Sequence, residues 1–290
     1  MKCTLCPRSC GAERDGKTGA GFCRMPAGLR VARAALHHWE EPPISGKNGA
    51  GTVFFSGCTL RCSYCQNGDI SAGGRGRDIT PERLREIYFE LLGQGAHNIE
   101  LVTPTHFLPW ILPSLEPKLP VPVVYNCGGY EKAETLRLLE GKVDVWLPDL
   151  KYSDGALARE LSGAEDYFSV ACDAIREMFR QTGRPVCDGN GLMRRGVIVR
   201  HLVLPGYLDN TRRVLDWLAE TFAPGDVAVS LMSQYTPPPH MTGRLARRVT
   251  AAEYRAAVAY MRNCGIEDGF VQERTSAEEA YTPAFDGTGV

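Results

Sequence analysis

Two rhythms of apolar residues alternate along most of the chain. Short runs at 52–55, 99–102, 121–125, 143–147, 197–204 and 226–232 are dense in Val, Ile, Leu and Phe and predict buried strands. Between them the spacing becomes helical. Leu84, Ile87, Tyr88, Leu91 and Leu92 fall on one face of a helix, with Thr80 as its N-cap and Pro81 as its first residue. Further helices are expected at 107–115, around Leu136, Leu138 and Leu139, at 164–182 and at 211–221. The capping-box pattern Thr250-Ala-Ala-Glu253 opens another that runs to 264. A last strand is expected at 270–272, and turn chemistry at 187–193 suggests a small hairpin. Strand–helix alternation over six or seven units predicts an α/β fold, a parallel sheet with helices outside it.

The first 50 residues lack this rhythm. They carry Cys3, Cys6, Cys10 and Cys23, spaced C-x2-C-x3-C-x12-C, in a stretch too poor in apolar residues for a core of its own. Four thiolates at this spacing can close a zinc site or hold an iron–sulfur cluster, and bound metal would supply much of the order. Gly11 to Thr18 also matches G-x4-G-K-T, but no strand precedes the match and no helical run follows it, so it does not read as a phosphate loop. Residues 40–50, rich in Pro and Gly, read as a connector. The expected organisation is a cysteine-rich segment and connector at 1–50, a barrel domain at 51–275 and a tail at 276–290.

Composition narrows the function classes. Thirty-three basic and 34 acidic residues leave a net charge of −1, with 43% apolar residues. The densest basic group, Arg244, Arg247 and Arg248, reads as a solvated face, so nucleic acid is not an expected partner. No window reaches the ~20 apolar residues of a membrane span, and no apolar signal core opens the chain. Eleven cysteines without a secretion signal fit a reducing cytoplasm and metal ligation.

The strand at 52–55 runs into Gly57-Cys58-Thr59-Leu60-Arg61-Cys62-Ser63-Tyr64-Cys65. Cysteines this close in such a chain are metal ligands more often than disulfide partners. A 4Fe–4S cube normally takes four thiolates; Cys58, Cys62 and Cys65 supply three and leave one iron open, as reactive metal sites do. The competing reading, a zinc knuckle, lacks a nearby fourth ligand. The C-x3-C-x2-C spacing, with Tyr64 just before the third cysteine, resembles the radical S-adenosylmethionine (SAM) superfamily. The resemblance implies an incomplete (β/α)6 TIM-type barrel, SAM chelating the open iron, reductive cleavage to a 5′-deoxyadenosyl radical, and Tyr64 near the adenine.

In α/β barrels, active-site residues come from the C-terminal ends of strands. After 99–102 stand Thr103, Pro104 and Thr105, where many family members carry Gly-Gly-Glu; the threonine hydroxyls are candidate acceptors for the SAM amine, or Thr105 caps the next helix. After 121–125, Asn126 is a candidate ligand contact, and Cys127 reads as a small buried residue. Asp149 and Lys151 share one side of an extended strand. Arg200 lies among apolar neighbours and needs an anionic partner, for which the SAM carboxylate is a candidate. His201 points the other way and reads as structural. Ser230 to Tyr235 is a candidate wall for adenine or substrate. No catalytic residue is identified by these patterns.

The N-terminal Cys-Pro-Arg-x-Cys, Tyr125-Asn126-x-x-Gly129-Tyr130, Asp149-Leu150-Lys151-Tyr152 and Arg200-x4-Pro205-Gly206 resemble an uncharacterised branch near pyruvate formate-lyase activating enzymes. That resemblance implies a protein substrate, a glycyl radical enzyme, and an electron donor such as flavodoxin or ferredoxin. An incomplete barrel would leave a lateral opening for a peptide loop. The alternatives are a radical SAM enzyme acting on a small molecule or peptide, and a non-catalytic iron–sulfur or zinc scaffold.

Overall fold

A computed structural model describes residues 2–15, 18–267, 269–271 and 283–290. Gly16 and Lys17 of the phosphate-loop-like match, Gln272 of the expected last strand and the 275/276 boundary lie outside the described residues.

The apolar runs form one curved sheet. Its strands are β1 (Leu29–His37), β2 (Ala50–Phe55), β3 (Arg77–Ile79), β4 (Ile99–Val102), β5 (Val123–Cys127), β6 (Val145–Pro148), β7 (Met193–Leu202), β8 (Ala228–Met232) and β9 (Gly269–Val271). From one edge the order is β9, β8, β7, β6, β5, β4, β2, β1, β3. Pairing is parallel from β9 through β2. β1 runs antiparallel to β2 and β3. Helices cover the outside: α1 (Pro81–Gly93), α2 (Leu108–Ser114), α3 (Ala133–Leu136), α4 (Gly155–Ser162), α5 (Tyr167–Thr182), α6 (Leu208–Thr221) and α7 (Ala251–Asn263). This is the expected incomplete (β/α)6 barrel, preceded by a cysteine-rich stretch. Among the described residues no helix is long and apolar enough to cross a membrane.

Local signals mostly place the ends. Thr80 accepts from the Arg83 amide at 3.2 Å, and Thr250 and Glu253 close a full capping box. The strand read at 121–125 begins instead at Val123, because Pro120 and Pro122 lack the N–H a ladder needs. α3 is a single turn that tightens into a 3-10 segment, Arg137–Leu139.

The larger difference concerns residues 29–50. Leu29–His37 is a nine-residue strand of the main sheet, not part of a separate cysteine segment. Its arginines break the apolar pattern; Arg30 and Arg33 carry their charges to the surface and pair with Asp78 and Asp286. The connector then enters the barrel. Its single helical turn, Pro42–Ser45, buries Ile44 against Val124, Val145, Leu147, Ile198 and Ala228, the inward residues of four strands. The Asn98 amide holds the Ile44 carbonyl at 2.8 Å, and Ser230 donates to Glu41 at 2.7 Å. Above this apolar plug the inward positions turn polar: Thr52, Glu100, Asn126, Arg200 and Ser230. The cavity opens above that layer.

Candidate active site

β2 ends in Phe55, and Gly57 turns the chain at φ +78° into the triad loop. A Cβ at Gly57 would lie 2.4 Å from the Met25 side chain, so the turn requires glycine. Cys58, Cys62 and Cys65 all line one cavity of about 270 Å³ at the C-terminal end of the parallel strands. Each sulfur accepts a hydrogen bond: Cys58 from the Leu60 amide at 3.3 Å, Cys62 from Ser162 Oγ at 3.0 Å and Cys65 from Ser71 Oγ at 3.4 Å. Burial pushes the Cys58 thiol up to about 12, and the neighbouring Cys62 and Cys65 add to the rise. Three close sulfurs, each already met by a donor, fit a cationic group. Among the described residues no three His, Cys, Asp or Glu side chains converge on a single ion.

The same cavity is lined by Thr103, Asn126, Asp149, Lys151 and Arg200, five of the candidate residues. The partner of Arg200 differs from expectation. Its Nε donates to Asp149 at 2.9 Å, Nη1 to Glu40 at 2.9 Å and Nη2 to the Asn126 side-chain oxygen at 2.7 Å. The guanidinium is neutralised by the protein's own carboxylates, so it has no need of a ligand carboxylate. Asn126 is likewise engaged, donating to Glu100 at 2.7 Å and to Glu40 at 3.1 Å. Lys151 pairs with the second oxygen of Asp149. Its ammonium keeps further N–H groups for a ligand.

The charges follow from burial and pairing. Burial works to raise the Asp149 carboxyl, but Arg200 and Lys151 outweigh it and hold it below the usual carboxylate range. Burial, then the nearby Glu40, raises Glu100, and burial raises Glu41 to about 7.

Tyr64 is buried beside the triad, its ring 6.0 Å from Tyr235 and its hydroxyl accepting from Tyr152 at 2.9 Å. Met232, Gln234 and Tyr235 line the same wall. Thr103 stands at the cavity with φ +58°, a left-handed conformation rare for a β-branched residue. Thr105 does not reach the cavity: its hydroxyl donates to Glu131 at 2.8 Å and accepts from Tyr125 at 2.9 Å in the layer between sheet and helices. Strand alternation sends Tyr125 to that outer layer and Asn126 inward, and the short helical segment after Pro104 carries Thr105 outward too. His201 is buried between the Leu150 carbonyl and Thr211, a structural role as expected.

Cys3, Cys6, Cys10 and Cys23 do not line the cavity, although the Cys23 carbonyl packs against Gly57 at its edge. Burial raises Cys6 to about 12, with contributions from Glu131, Cys23 and Cys3, and burial also raises Cys23, with Cys3 and Cys10 contributing. Sequence reasoning missed His37, Trp39 and Glu40, all at the cavity. The signal was a polar and aromatic cluster just before Pro42-Pro43, which the connector reading passed over.

No family model matches the chain. It is 30% identical over 246 residues to the uncharacterized protein MJ0674 of Methanocaldococcus jannaschii, an alignment covering 81% of this chain and 66% of that one. In fold it is similar to the FeFe-hydrogenase maturase HydG from Carboxydothermus hydrogenoformans, with TM-score 0.52, 14% identity, and coverage of 80% of this chain and 55% of HydG. It is similar also to Streptococcus suis SuiB, with TM-score 0.51, 12% identity, and coverage of 77% of this chain and 48% of SuiB. SuiB has further structures bound to S-adenosylmethionine and to its precursor peptide SuiA. The chain therefore spans 66% of MJ0674 and about half the length of HydG and SuiB. With the fold of HydG and SuiB, and with its C-x3-C-x2-C loop set at the mouth of that barrel, the chain resembles the radical SAM superfamily in motif and in architecture.

Proposed function

We propose that the chain is a radical SAM enzyme that reductively cleaves S-adenosylmethionine and uses the resulting radical to take a hydrogen atom from a substrate. The observation that carries this reading is one cavity lined by Cys58, Cys62 and Cys65 together with Asp149, Lys151 and Arg200. A 4Fe–4S cluster on the three sulfurs would supply the electron and an open iron. Lys151 is suited to hold a ligand carboxylate, and Asp149 to orient Lys151. Tyr64, with Met232 and Tyr235 on the same wall, suits an adenine. The SAM-bound structure of SuiB, on the same fold, supports SAM as the ligand. The test is anaerobic reconstitution with iron and sulfide, reduction, and assay for 5′-deoxyadenosine. The intact protein should form it, and the Cys58→Ser, Cys62→Ser, Cys65→Ser triple variant should not, because a hydroxyl is a poor ligand where a soft thiolate is needed. Product from the triple variant would overturn the reading; none from either protein would favour a non-catalytic scaffold.

For the substrate, we favour a glycine of a partner protein, made into a glycyl radical. Asp149-Leu150-Lys151-Tyr152 supports this by its resemblance to activating enzymes, and the SuiB complex with precursor peptide SuiA supports a polypeptide substrate on this fold. A second reading, a small molecule or peptide as substrate, is supported by Glu40, His37 and Trp39 on the cavity wall, which offer polar and aromatic contacts that a glycine does not need. Electron paramagnetic resonance of reduced enzyme, SAM and candidate partners separates the two. A protein radical supports the first, and deuterium moving from a labelled metabolite into 5′-deoxyadenosine supports the second. We further propose a second metal centre on Cys3, Cys6, Cys10 and Cys23, with iron–sulfur favoured over zinc. About eight irons per chain supports it, and about four with no zinc removes it. A flavodoxin- or ferredoxin-type donor and a cytoplasmic setting complete the proposal.

A further inference from the structure

The connector brings one carboxylate into the ligand side of the cavity that the activity proposed above does not yet use. Glu40 accepts from Arg200 Nη1 at 2.9 Å and from the Asn126 amide at 3.1 Å. Arg200 Nε donates to one oxygen of Asp149 at 2.9 Å, and Lys151 pairs with the other. Four charges thus alternate in a row, Glu40, Arg200, Asp149, Lys151. Their side chains are only 12–18% exposed. The row ends at Lys151, whose ammonium has N–H groups beyond the one that meets Asp149.

The two oxygens of Asp149 are divided between a guanidinium and an ammonium. A guanidinium prefers a two-point grip on a carboxylate, and taking both Asp149 oxygens would release Lys151. Glu40 and Asn126 each engage one terminal nitrogen of Arg200, which turns Nε to one oxygen of Asp149 and leaves the other oxygen for Lys151. A purely structural network would not need to reach the cavity wall, and burying two carboxylates with an arginine and a lysine is not a stabilising choice by itself.

We propose that Glu40 is a positioning residue for ligand binding, holding Lys151 in place through Arg200 and Asp149. The proposal rests on the reading of this cavity as the SAM site, so SAM binding and 5′-deoxyadenosine formation by the unmodified holoprotein are measured first and test that reading separately.

The experiment is a double-variant comparison on cluster-loaded protein, with SAM affinity as the readout. Glu40→Gln keeps the shape and removes the charge; it should raise the SAM Kd about tenfold with the cluster spectrum unchanged. In a Lys151→Met background the same change should alter the Kd by less than about twofold, because the group being positioned is gone. A structural loss would persist in both backgrounds. Unchanged or tighter SAM binding by Glu40→Gln, or an equal loss in both backgrounds, overturns the proposal. If Glu40→Gln does not hold its cluster, Glu40→Asp, which keeps the charge and shortens the reach, carries the same comparison with the same outcomes.

Discussion

Arg8 donates from Nε to the carbonyl of Thr59 at 2.9 Å, joining the cysteine-rich N-terminus to the middle of the triad loop. The same guanidinium reaches the carbonyls of Ser162, at 2.7 Å, and Gly163, and lies 3.9 Å from the Phe22 ring centroid. Arg61, inside the triad loop, approaches the other side of the grip, 5.5 Å from the same ring. Ser162 in turn donates to Cys62. The N-terminal segment therefore braces the triad loop from outside. Arg8→Met should cost about 2 kcal/mol of stability, since charged donors to carbonyls are the stronger hydrogen bonds. It should also speed loss of visible cluster absorbance under a chelator several-fold. Equal loss rates in variant and parent would show that the triad loop stands without the brace.

Four non-glycine residues among those described adopt positive φ: Ser9, Arg24, Arg61 and Thr103. Three neighbour the cysteines, and the fourth sits at the cavity. A β-branched residue in this region carries strain of roughly 1–3 kcal/mol, whereas glycine adds unfolded-state freedom of only about 0.5–1 kcal/mol. Thr103→Gly should therefore stabilise the apo protein by about 1 kcal/mol. If the hydroxyl serves the ligand, SAM binding should weaken at the same time. Denaturant unfolding and SAM titration read the two effects separately. A destabilised variant would mean that Thr103 is not strained.

The triad, the inward Asp149 and Lys151, the structural His201 and the alternating elements were legible in sequence because each rests on spacing alone. Two features were not. An arginine among apolar neighbours calls for an anion, but the choice between ligand and protein depends on Glu40, 160 residues away, which only the closed barrel brings beside Arg200. Residues 29–50 were misassigned because an edge strand with surface arginines has no clean alternation. A Pro-Pro turn that plugs a barrel also looks, in one dimension, like a linker. Thr105 shows the same limit at short range: its type suited a ligand contact, and the turn after Pro104 sent it to the outer layer.

Arg200 now carries a different expectation from a ligand-binding arginine. Replacing it with methionine would leave Glu40 and Asp149 facing each other without their shared cation. Breaking a buried ion pair by removing one partner costs about 3–5 kcal/mol. Arg200→Met should therefore lower the unfolding free energy of the apo protein by that amount, before any ligand is added. A variant as stable as the parent, with SAM affinity lost, would return Arg200 to direct ligand contact.

Glu41 gives the fold a pH dependence that can be isolated. Burial raises its carboxyl from an ordinary 4.5 to about 7; Glu40 and Asp149 add to the rise, while Ser230 and Arg200 oppose it. Between those two values the folded protein holds a proton on Glu41 that the unfolded chain has released. Stability from this group is therefore full below 4.5, declines as pH rises through the interval, and is lost above about 7. The shift corresponds to on the order of 3 kcal/mol. Glu41→Gln keeps the size and the hydrogen bond with Ser230 but cannot ionise. Its unfolding free energy should fall less between pH 5 and pH 8 than that of the parent, by an amount on the order of 3 kcal/mol. Parallel stability curves for the two proteins across that range would show that Glu41 is ionised in the fold, and that the barrel's polar layer carries one more negative charge than its geometry implies.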